Sequence, residues 1–124
     1  MKRVLFFVPA VLYYALIFYL SSKSYEVEVD ILFFDKGIHV VEFAILGFFL
    51  SFGCFQSLKS SFKGNVILIL STGILLGGLD EWHQSFVPLR SSDILDMVAD
   101  ATGIFIGLFV YVYLTRLIKR KFLK

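Results

Sequence analysis

The chain has 124 residues, enough for one domain, and 58% of them are hydrophobic. Its mean hydropathy is +0.82, and a soluble domain of this length has no way to hide that much apolar surface from water. The formal charge is only +2, so the charged residues carry information through their placement rather than their sum.

In lipid, backbone polar groups are satisfied within a helix or by a closed barrel. The apolar runs here are near-continuous rather than alternating, which selects helices. The first is MKRVLFFVPAVLYYALIFYL. It has the basic start and apolar body of a signal sequence, but no small-residue cleavage site follows it. It therefore reads as a retained helix over about 4–20, with Pro9 tolerated near its start. The second run is about 34–55, the third about 66–86 and the fourth about 94–118. Each approaches the roughly 20 apolar residues that a spanning helix needs. The connections are short, so sequential helices should pack antiparallel. The expectation is an all-α, integral-membrane four-helix antiparallel bundle, one domain over 1–124. The single cysteine, Cys54, forms no internal disulfide.

Basic residues set the expected orientation. Lys2 and Arg3 precede the first helix, Lys59 and Lys63 lie between the second and third, and Arg116, Lys119, Arg120, Lys121 and Lys124 end the chain. Those regions hold nine of the twelve basic residues; Lys23, Lys36 and Arg90 lie at the other ends. Both termini are thus expected on the cytoplasmic side. The ten acids are Glu26, Glu28, Asp30, Asp35, Glu42, Asp80, Glu81, Asp93, Asp96 and Asp100. All fall in the first or third connection or in the adjoining helix halves, which points to an electrostatic feature on the outer face.

Ionisable residues within spans are costly and are functional candidates by default. In DKGIHVVEF, Asp35, His39 and Glu42 share one helical face. Asp80 and Gln84 share another, with Glu81 beside them, and DMVAD puts Asp96 and Asp100 on a third. Antiparallel packing brings these patches to one depth. Asp93 and Asp96 also suit the positive end of the fourth helix dipole. Gly73 and Gly77, and Gly103 and Gly107, form small-xxx-small patterns. They predict that the third and fourth helices touch along them.

These residues resemble a known family. Asp35-Lys36-Gly37-Ile38-His39, with Glu42-Phe43 and Leu46-Gly47, resembles the D-K-x-x-H…F-x-x-L-G block of VanZ-like membrane proteins. Leu79-Asp80-Glu81-Trp82-His83-Gln84, then Phe86-Val87-Pro88 and Arg90, resembles their D-E-x-x-Q-x-F-x-P-x-R block. Asp93 through Gly107 resembles their S-x-x-D-x-x-x-N-x-x-G-x-x-x-G block. Among the departures from the pattern, Asp100 replaces the usual asparagine, and Leu89 stands where glycine is frequent. The resemblance implies a multi-pass protein of the cell membrane and a link to glycopeptide, especially teicoplanin, resistance.

Three functional classes follow. The first binds or shields a membrane lipid or lipid-linked cell-wall precursor, with Arg90 and then Lys36 as anion-binding candidates. Asp35, Gln84 and Asp100 complete the expected ligand-binding set. The second is a small intramembrane hydrolase or transferase of a lipid phosphate. There His39, Glu42 and Asp80 are the catalytic candidates, and His39, Glu42, Asp80 and Asp96 would hold one divalent metal ion. The third is an ion or proton path, or a helper subunit. An oligomer fits any of them, and no nucleic-acid partner is expected. His83 reads as exposed and incidental, and Trp82 and Phe86 as interfacial anchors.

Overall fold

The computed structural model describes residues 2–24 and 32–122. Glu26, Glu28, Asp30 and Lys124, counted above in the charge distribution, lie outside them. A 3-10 helix over Lys2–Phe7 runs directly into α1, Val8–Ser21. Pro9 sits in the first turn of α1, where its missing N–H removes no helical bond. Then come α2 (Leu32–Ser57), α3 (Phe62–Gln84) and α4 (Ile94–Phe122). All four helical segments are long and apolar enough to cross a membrane.

Helix ends differ from the sequence expectation for local reasons. α3 begins four residues earlier, because Ser61 caps it: its Oγ accepts from the Gly64 N–H at 3.0 Å. It ends at Gln84, short of Phe86, because a turn follows around Pro88. The Arg90 N–H donates to the Val87 carbonyl at 3.2 Å, and Leu89 has φ 65°. Proline second and positive φ third is the pattern of a type II turn. Leucine there costs about 1 kcal/mol relative to glycine. α4 runs on to Phe122 because Lys119, Arg120 and Lys121 favour its negative dipole end.

The helices alternate in direction. At one end, Ser57 Oγ at the close of α2 donates to the Arg3 carbonyl near the chain start. Midway, Tyr14 Oη donates to the Leu76 carbonyl at 2.9 Å. At the other end, the starts of α2 and α4 meet the finishes of α1 and α3, and the polar residues collect there. Between the ends lies an apolar core that includes Ile17, Phe43, Leu46, Ile69 and Ile104. Large side chains such as Leu75, Phe105 and Phe109 face outward. In water such a surface would drive association; against lipid tails it costs nothing.

The glycines work differently from the expectation. α3 does meet α4 through Gly73 and Gly77. A Cβ at Gly73 would lie 2.6 Å from the Ile104 side chain, and one at Gly77 would lie 3.0 Å from Asp100. Gly103 and Gly107 of α4, however, pack on α2 rather than α3. A Cβ at Gly103 would fall 2.5 Å from the Val40 carbonyl oxygen, and one at Gly107 would overlap the Ala44 carbonyl. The reason is a matching surface on α2. Gly47 lies against the Ile104 backbone, its own Cβ position 2.6 Å from that carbonyl oxygen. The α2–α4 glycines thus admit backbone, while those of α3 admit side chains.

Candidate functional site

The outermost layer of the polar end is an ion-pair bridge. Lys36, one turn into α2, places Nζ 2.6 Å from Asp93 Oδ2 and also donates to Asp96 Oδ1. The Lys36 ammonium, aided by the Leu95 N–H on its other oxygen, holds the Asp93 carboxyl below the usual carboxylate range. Glu81, at the end of α3, accepts the Asp93 backbone N–H on Oε2 at 2.8 Å. The start of α4 is therefore held from two sides, by a cation on α2 and a carboxylate on α3.

Beneath this lies a closed cluster. His39 Nδ1 is 2.9 Å from Asp100 Oδ1. His39 is 4% exposed, Glu81 1% and Asp100 0%. One nitrogen of His39 and one oxygen from each of Glu81 and Asp100 all lie within 4.8 Å of one another. His39, Asp35 and Asp96 form a second such group. Among the described residues, Glu81 Oε1 and Asp100 Oδ2 find no hydrogen-bond partner.

A third layer faces α1. Asp80 accepts from Ser21 Oγ on Oδ1 at 2.6 Å and from Gln84 Nε2 on Oδ2 at 2.8 Å. Arg90 returns over this corner, its Nη1 donating to the Ser21 carbonyl at 3.2 Å. His83 is tied to Ser22 at 2.8 Å and stacks on Phe18 with ring centroids 3.9 Å apart. Trp82 and Phe86 are exposed and in edge contact, 5.4 Å between centroids.

The structure thus gathers Asp35, Lys36, His39, Asp96 and Asp100 in one region. Gln84 and Arg90 are brought instead to Asp80 and its neighbour Ser21. The ligand set of His39, Glu42, Asp80 and Asp96 does not assemble as one group among the described residues. Glu42 is half-buried beside an apolar groove of α2 that includes Phe34, Ile38 and Val41. Asp80 is turned towards α1. Successive residues on a helix differ by about 100° in direction, so Asp80 and Glu81 serve different neighbours. Glu81 is the one that faces α4.

Glu81 belongs to the site although it stands outside the expected set; its signal is that it follows Gly73 and Gly77 at four-residue steps, on the glycine face. Ser21 was missed, because a lone hydroxyl ending an apolar helix carries no pattern. Asp93 suits the helix dipole, as its position predicts, and it also anchors both Lys36 and Glu81.

No curated protein and no solved structure matched the chain. The family model described as VanZ/LLP1 matches residues 4–118. That match reaches into all four helices and includes every polar residue described above at the bundle end, so the chain belongs to the VanZ/LLP1 family.

Proposed function

We propose that this protein is a multi-pass cell-membrane protein whose polar end binds the phosphate-bearing headgroup of a cell-envelope lipid or lipid-linked cell-wall precursor. Arg90 carries the reading. Lys36 is committed to Asp93 and Asp96, whereas Arg90 makes no ion pair among the described residues and donates its hydrogen bond to a backbone carbonyl, that of Ser21. A guanidinium beside a membrane interface suits bidentate contact with phosphate. Exposed Trp82 and Phe86 next to it suit the headgroup level. The family resemblance extends the reading to glycopeptide susceptibility.

Binding of a polyprenyl phosphate to the protein in nanodiscs tests it. Arg90→Ala is expected to weaken binding at least about tenfold, since a hydrogen bond to a charged group contributes about 1.5–3 kcal/mol. Binding of a zwitterionic lipid should not change. Equal polyprenyl phosphate binding by Arg90→Ala would sink the proposal.

The reading also needs this end to face outward, with both termini cytoplasmic, as the Lys and Arg distribution supports. A cysteine at Ser91 should react with an impermeant thiol reagent in intact cells, and one at Ser57 should not. The reverse labelling would place the site on the cytoplasmic side.

The His39–Asp100 contact favours a second reading, a small intramembrane hydrolase or transferase of a lipid phosphate. Asp100 would orient His39 as general base. Product formed from a purified lipid phosphate, and lost in His39→Ala, would select it over simple binding.

A further inference from the structure

We propose that His39, Glu81 and Asp100 form a binding site for one divalent transition-metal ion, buried where α2, α3 and α4 converge. The inference stands whether or not a headgroup binds at Arg90.

Three observations carry it. The donor atoms come from three helices and lie within 4.8 Å of one another, with all three residues buried. Each carboxylate is positioned through one oxygen and open at the other. Glu81 is held through Oε2 by the Asp93 N–H, leaving Oε1 without a partner. Asp100 Oδ1 lies 2.9 Å from His39 Nδ1, a spacing that two ligands of one ion share once Nδ1 is unprotonated, and its Oδ2 has no partner among the described residues. Side chains 1% and 0% exposed seldom keep such oxygens unless a cation or proton engages them. Finally, Gly77 makes room at this point: a Cβ there would stand 3.0 Å from Asp100 Oδ2.

Charge supports the same conclusion. The described carboxylates at this end are Asp35, Glu42, Asp80, Glu81, Asp93, Asp96 and Asp100. The fixed cations nearby are Lys36, Arg90 and Lys23. Lys36 is taken by Asp93 and Asp96, Arg90 lies on the Ser21 side, and Lys23 rests on the Tyr19 ring at 4.7 Å. Among the described residues, none of them forms an ion pair with Glu81 or Asp100. A divalent ion would balance the two carboxylates with His39 neutral. One imidazole and two carboxylates suit Zn²⁺ better than Mg²⁺ or Ca²⁺. Three protein ligands leave a fourth position for water or a ligand oxygen.

The test uses the full chain in detergent or nanodiscs, stripped with a chelator and then dialysed against Zn²⁺. Metal analysis is expected to find one ion per chain. Glu81→Gln and Asp100→Asn should each weaken retention at least tenfold, while His83→Ala keeps it. Loss in Asp35→Asn with retention in Glu81→Gln would move the ion to the other His39 group and overturn the assignment. Absence of a stoichiometric ion in the wild type would overturn the site itself, leaving protons to satisfy the carboxylates. If the variants fail to fold, zinc-edge absorption on the wild type decides. One imidazole nitrogen with carboxylate oxygens at about 2.0–2.2 Å is the expected shell. A shell without imidazole would refute it.

Discussion

Gly107→Ala should destabilise the bundle by about 3 kcal/mol, the upper end for overpacking. The added carbon would collide with the Ala44 carbonyl and crowd the Phe48 nitrogen and the Gly47 backbone. These are backbone atoms of a long helix, so no side-chain rotation relieves the contact. α2 and α4 would have to separate, and the Lys36 bridge and the His39–Asp100 contact span that same pair of helices. Gly37→Ala is the internal control, because nothing lies within 4 Å of its Cβ position. It should lose no stability, and helix propensity allows a gain of up to about 1 kcal/mol. Unfolding in mixed micelles compares the two. Similar losses for both would show that α2 and α4 are not in backbone contact.

His39→Leu should cost about 3 kcal/mol by leaving Asp100 buried with neither oxygen engaged. Replacing a whole buried pair with apolar residues is often nearly neutral, whereas removing one partner is not. The double variant His39→Leu with Asp100→Leu should therefore recover much of the stability, with a coupling of about 2 kcal/mol. Measuring in the presence of chelator keeps any bound ion out of the comparison. Additive losses would mean that the two side chains contribute independently, and the contact would no longer explain why α2 and α4 carry these residues.

The polar bundle end is largely legible in the sequence. Alternating helix direction follows from short connections, so Asp35 to Glu42, Asp80 to Gln84 and Asp93 to Asp100 had to share one end. Lys36, His39, Asp96 and Asp100 do meet there, and Arg90 returns beside them. Which acid pairs with which base was not legible. Lys36 rather than Arg90 takes Asp93 and Asp96, because the start of α2 abuts the start of α4 while the turn at Pro88 directs Arg90 towards α1. Arg90, the residue on which the binding proposal rests, is thus left without an ion-pair partner among the described residues.

Hydropathy, run length and connection length suffice for the helix count and the collected acids, because lipid forces each span to satisfy its own backbone. Rotation of each helix about its axis is another matter. A turn of about 100° separates neighbouring residues, and periodicity is a weak guide where lipid and core are both apolar. Close packing supplies that angle. Gly103 and Gly107 fit the backbone of α2, Gly73 and Gly77 admit Ile104 and Asp100, and these fits turn Glu81 inward and Asp80 towards Ser21. Contact between helices, not composition, decides that His39, Glu81 and Asp100 share one buried cluster and that Glu42 stands outside it.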